Sequence, residues 1–94
     1  MKYFNGFGLM FKRKLKENEA VILKINKESR LKASVHMFFV FYSLCIIWLD
    51  KDKKVVDIKK VHPFQPLIAP RHPAIYIIEC IKMPAINVGD VLNF

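Results

Sequence analysis

Apolar runs alternate along the chain with short polar connections, and most runs are five to eight residues long. AVILKI at residues 20–25 reads as a strand, followed by a polar connection, NKESRLKAS, at residues 26–34. A long apolar run, VHMFFVFYSLCIIWL, occupies residues 35–49. The charged stretch DKDKK at residues 50–54 is a turn, and the β-branched VVDIKKV at residues 55–61 is a strand, so residues 44–61 form a hairpin. HPFQPLIAPRHP at residues 62–73 holds four of the five prolines and can be neither helix nor central strand; it is an extended loop of fixed shape. AIYIIECI at residues 74–81 is a further strand, NVGD is a turn signal, and VLNF at residues 91–94 is a final strand. Near the start, residues 8–16 mix apolar and basic side chains and suit one turn or short helix.

The long run decides the fold class. It extends for roughly 15 residues, short of the ~20 that a spanning helix needs. His36 and Ser43 interrupt it, and its Phe, Val, Tyr, Ile and Trp favour strands. It divides into strands at residues 35–42 and 44–49, or one strand with a bend. In the first piece His36, Phe38, Val40 and Tyr42 share one face, and Met37, Phe39 and Phe41 the other. Both faces are apolar, so both need cover, as in a closed barrel or a sheet packed on two sides. The expectation is one domain over residues 1–94, mainly β, a small barrel-like antiparallel or mixed sheet with one short helix or turn near the N-terminus.

Composition sharpens this only in part. With 94 residues, 53% hydrophobic and 13% aromatic, the chain can bury a core and is not a disordered segment. The net charge of +8 permits nucleic acid, anionic lipid or an acidic protein as a partner without demanding any of them. Cys45 and Cys80 sit among Ile and Leu, and no secretory signal is visible. Those features predict a cytoplasmic protein with two free, buried thiols, a disulfide between them being the less favoured alternative.

The candidate chemistry is sparse. His36, His62 and His72 could ligate a metal with a cysteine, but no C-x-x-C or H-x-x-x-H element supports a zinc site. A cysteine nucleophile would need a histidine and an orienting carboxylate such as Asp57 or Glu79, yet an apolar strand raises a thiol pKa. Core packing explains both cysteines better. Glu79, in a strand of isoleucines, either faces solvent or is buried with a Lys or Arg partner. Nucleic-acid binding would need basic residues gathered beside exposed aromatics, and Phe38, Phe39, Phe41 and Trp48 fall in the expected core. The proline loop is the most informative segment. Its shape is preset, and Arg71 and His72 offer donors for an anion or small ligand; its plainer reading is a lid that turns Phe64, Leu67 and Ile68 inward.

The order of GLMF at residues 8–11, AVILKI, HMFF, IIWLDKDKKVVDI, a proline-bearing loop, IYIIE and INVGDVLNF resembles the domain of unknown function 192 family, also catalogued as uncharacterised protein family 0127. The set is specific as an ordered whole and covers residues 8–94. The resemblance implies a compact β-barrel-like domain with a little helix and no particular activity. Four departures stand out. HMFFV replaces the family's aromatic-Met-Lys-Asn-Thr motif. Ser43-Leu44-Cys45 stands where the family has Pro-Leu-Asp or Pro-Ile-Asp, so any chemistry of that aspartate is lost. Lys53 occupies a turn position often held by Gly, where positive φ would cost about 1 kcal/mol. Only residues 1–7 are available for the family's first strand, and a shortened edge invites a partner chain.

Three functional readings follow. The first is a non-enzymatic module that binds a small molecule or anion at the proline loop through His36, His62, Arg71 and His72. The second is an enzyme at the same place with a histidine acid or base, weakened by the loss of the carboxylate at Cys45. The third is an interaction protein that forms a homodimer through an open sheet edge or contacts nucleic acid through its basic surface.

Overall fold

The computed structural model describes residues 2–4, 19–30, 33, 43–63 and 68–94. Five strands make up its regular structure: β1 (Lys2–Phe4), β2 (Glu19–Ser29), β3 (Leu44–Leu49), β4 (Val55–Val61) and β5 (Ala74–Cys80). They form one sheet in the order β1-β2-β5-β3-β4, with β1 parallel to β2 and every other pair antiparallel. The chain is mainly β, as its short apolar runs predict.

β3 shows why the second half of the long apolar run is not a helix. All six of its residues are buried, and it lies between β5 and β4 with both edges hydrogen-bonded. Leu44, Ile46 and Trp48 join one core cluster with Val21, Val61, Ile68 and Ile77. Cys45, Ile47 and Leu49 join the opposite cluster with Ala20, Val55, Ile78 and Cys80. A strand covered on both faces needs no polar alternation. Each large side chain withdrawn from water in this way contributes about 1.5–3 kcal/mol.

Among the described residues the sheet is open and not closed into a barrel. β1 and β4 lie at opposite ends of the strand order, and no pairing joins them among the described residues. Cover on two sides replaces closure: part of the proline loop contributes Ile68 to the first face, and the C-terminal segment brings Ile86 and Leu92 onto the second. A first strand is present, paired through Lys2–Glu19, Tyr3–Ala20 and Phe4–Val21.

Two boundaries differ from expectation. β2 continues through the polar residues to Ser29, which pairs with Ala74 across a register irregularity after Lys24. Backbone pairing with β5 carries this strand past the end of its apolar stretch. Residues 91–94 do not form a strand. Val91 makes a single antiparallel bridge to Lys54, and the segment is held otherwise by Leu92 N–H to Lys53 O at 2.9 Å and Gly89 N–H to Val55 O at 2.8 Å. The expected strand at residues 35–42, with His36, and the expected turn or helix at residues 8–16 lie outside the described residues.

The β3–β4 turn is built by Asp50. Its Oδ1 accepts the N–H groups of Asp52 and Lys54 at 2.9 and 3.0 Å, and its carbonyl accepts Lys53 N–H at 3.0 Å. This winding forces Lys53 to a φ of 62°, the left-handed region that costs a residue with a Cβ about 1 kcal/mol. A glycine at this place would adopt that conformation without the Cβ cost.

Candidate functional site at the proline loop

β4 carries Asp57 and Lys59 on the first face, beside Trp48 and Ile46 of β3 respectively. Asp57 is 4% exposed. Burial of a carboxylate is tolerable only when its oxygens are occupied. Here Oδ1 accepts the N–H of Ile58 and Oδ2 accepts the N–H of Arg71, each at 2.9 Å. Lys59 Nζ lies 3.7 Å from the same Oδ2, donates to Ala69 O at 2.7 Å, and sits 5.8 Å from the centre of the Trp48 ring.

The neighbouring carbonyl is held too. Arg30 Nε donates to Pro70 O at 3.1 Å, and the Pro70 side chain is fully buried. Three successive loop residues, 69 to 71, are therefore each anchored through the backbone to a charged side chain. Ile68 sits against the core beneath them. The lid reading holds for Ile68; Phe64 and Leu67 lie outside the described residues. Beyond the anchors, Arg71 and His72 are exposed.

Of the four residues that sequence groups together, the structure describes His62, Arg71 and His72. His62 is exposed at the end of β4, with its Nδ1 3.4 Å from Ser43 Oγ. Arg71 sits at the level of Asp57, five residues back along that strand. At about 3.3 Å per residue this is on the order of 16 Å. The Arg71 N–H thus lies beside the middle of β4 and His62 just past its end, and His36 lies outside the described residues. The geometry divides the elements of a cysteine nucleophile. Asp57 and Glu79 lie on the first face, opposite Trp48 and Ile46, whereas Cys45 and Cys80 lie on the second. Among the described residues, no three metal-ligating side chains come together, and no helix is long and apolar enough to cross a membrane.

Glu79 is buried rather than solvent-facing. It is 6% exposed between Val21 of β2 and Ile46 of β3, and its carboxyl has no hydrogen-bond or ion-pair partner among the described residues. Desolvation raises its pKa from 4.5 to about 7. The lysine partner expected for a buried Glu79 is not supplied by Lys59. That residue follows Glu79 and Ile46 in the same row across the sheet, but its ammonium is engaged by Asp57 and Ala69 O.

Asp57 is the residue that sequence reasoning undervalued. In the sequence it figures only as a possible orienting carboxylate. One signal was available: a lone acidic residue at a core-facing position of a β-branched strand needs donors, and a proline-preset loop a few residues later can supply an N–H.

Comparison with known proteins agrees with this fold. Residues 5–94 match the DUF192 family model, described as an uncharacterized ACR. A UPF0127 protein of Thermococcus sibiricus is 40% identical over 76 residues, covering 81% of this chain and 46% of its own length. A UPF0127 protein of Pyrococcus furiosus is 34% identical over 91 residues, covering 93% of this chain and 75% of its own length. The chain spans about half the length of the Thermococcus relatives, at 46, 56 and 52%. A crystal structure of a protein of unknown function from Novosphingobium aromaticivorans matches with a TM-score of 0.71 at 22% identity, covering 84% of this chain and 60% of its own. That likeness concerns the fold. The match over nearly the whole sequence, with relatives above 30% identity, establishes that this chain belongs to the DUF192 family.

Proposed function

We propose that the chain is a non-enzymatic binding module that holds a small anion, or the anionic group of a small molecule, at the proline loop. The observation that carries this reading is the anchoring of residues 69–71. Asp57, Lys59 and Arg30 fix the loop backbone, while the adjacent Arg71 and His72 side chains remain exposed. A loop ordered before binding loses little conformational entropy when a ligand arrives. A guanidinium beside an imidazole offers several N–H donors to oxyanions. The Asp57 carboxylate does not repel the ligand strongly, because two N–H groups and Lys59 already offset its charge. An enzymatic role is disfavoured by the separation of the cysteines from both buried carboxylates.

The test is a calorimetric titration with inorganic phosphate and with citrate, for the wild type and Arg71→Ala. The reading expects saturable binding that weakens at least tenfold in the variant, with an unchanged urea midpoint. Absence of binding, or equal binding by the variant, would remove it. A second reading rests on a different observation. β1 covers only residues 19–21 of the eleven-residue β2, and among the described residues no strand pairs with residues 22–28 on that side. An unpaired edge can add a strand from a second copy. A stable dimer in native mass spectra, lost when proline replaces Leu23, is the outcome that favours this homodimer.

A further inference from the structure

The second face of the sheet carries a feature that the anion reading leaves unused. Ala20, Cys80, Cys45 and Lys60 form one row across β2, β5, β3 and β4. Cys45 and Cys80 are direct partners in adjacent antiparallel strands, so their Cα atoms fall within the 4.4–6.8 Å range that a disulfide requires. Both side chains lie in the same apolar cluster and both thiols are free. Their hydrogen-bonding needs are modest: Cys80 Sγ lies 3.8 Å from Cys45 O, and Cys45 Sγ 3.7 Å from Ile81 O. A cavity of about 200 Å³ reaches Cys80, walled otherwise by Ile47, Ile78, Pro84, Ile86, Leu92, Asn93 and Phe94. Its volume exceeds that of a molecule the size of hydrogen peroxide.

We propose that Cys45 and Cys80 are a reversible cross-strand disulfide site, reached by small oxidants through this cavity. The reaction has two steps. One cysteine, as thiolate, attacks a peroxide oxygen; an S–O bond forms, the O–O bond breaks, and hydroxide leaves and takes up the proton released by the thiol. The second thiolate then attacks the sulfenic sulfur; the S–S bond forms and the oxygen departs as water. Two thiols lose two electrons and two protons, and one peroxide becomes two waters. Burial raises both thiol pKa values, Cys80 to about 11, while Lys60 pulls Cys45 back towards its thiolate. The first step is therefore slower than at an exposed cysteine. Directly opposed strand residues hold Cβ atoms about 4.5–5.5 Å apart, whereas a disulfide holds them about 3.8 Å apart. The strands must draw together, and a strained bond of this kind is easily reduced.

The experiment treats the reduced, folded full chain with hydrogen peroxide and follows intact mass, thiol alkylation under denaturant, and peptide mapping. A urea-unfolded sample is run in parallel to show that the oxidant is active. The expected result is loss of two hydrogens, loss of both alkylatable thiols, a peptide containing Cys45 linked to one containing Cys80 within one chain, and recovery with dithiothreitol. Cys45→Ser should abolish the link and leave Cys80 able only to gain oxygen. Oxygen gain without a link, links between chains, or two unchanged thiols in the folded sample while the unfolded one reacts would each overturn the proposal.

Discussion

Asp57 and Arg71 are 14 residues apart in sequence, yet Oδ2 of the first accepts the backbone N–H of the second at 2.9 Å. A buried carboxylate on β4 thereby fixes the path of the loop that leads into β5. Replacing Asp57 with Asn leaves a similar shape but turns one acceptor into an NH2 group that must face an N–H donor. The cost of an unsatisfied buried donor is about 1–3 kcal/mol. Urea denaturation of Asp57→Asn should show a loss of that size, and a change below about 0.5 kcal/mol, the usual range for surface substitutions, would deny the bond its structural role.

Glu79 should make stability pH-dependent. Its folded pKa lies above the unfolded value, at about 7 against 4.5. Below the unfolded value both states are protonated and the group contributes no difference. Between the two values the native state holds a proton that the unfolded state has released, so stability falls as pH rises, and above about 7 the loss is complete. The full loss is about 3 kcal/mol. Glu79→Gln should match the wild type near pH 4 and exceed it progressively up to pH 8. Parallel stability curves for the two proteins would refute the account.

Lys53 should reverse a familiar ordering. Glycine ordinarily costs stability relative to alanine, but a φ of 62° favours it. Both Lys53→Gly and Lys53→Ala lose the ammonium 4.3 Å from the centre of the Phe94 ring and its contact with Phe94 O. The difference between them isolates the backbone. The glycine variant should be the more stable by about 1 kcal/mol in denaturant midpoints. Equal midpoints would mean that the turn relaxes to negative φ.

Trp48 provides an intrinsic probe. It is the single tryptophan, fully buried, and its Nε1 donates to Ala33 O at 2.7 Å. Its emission should be blue-shifted and resistant to iodide. Trp48→Phe removes volume and strands a carbonyl, and should cost about 2–4 kcal/mol. Red-shifted, readily quenched emission from the native protein would contradict this packing.

The strands of the hairpin were legible in the sequence because their apolar residues are contiguous and the charged turn between them is unambiguous. β2 was read short because its last residues are polar, and side-chain pattern does not report backbone pairing with β5. Apolarity on both faces demands cover, which a closed barrel or a sheet packed on two sides would each supply, and it does not say whether strands or loops provide it. Asp57 was hidden because its partner is a backbone N–H, which leaves no mark in the sequence.

The central claim is that the proline loop is a fixed platform tied down by Asp57. Amide hydrogen exchange of Arg71 tests it most directly, because the Arg71 side chain is exposed while its N–H is bonded to a buried carboxylate. The account predicts strong protection of that amide in the wild type and its loss in Asp57→Asn, with β3 and β5 amides still protected. An Arg71 amide that exchanges in the wild type as fast as an open surface loop would contradict it.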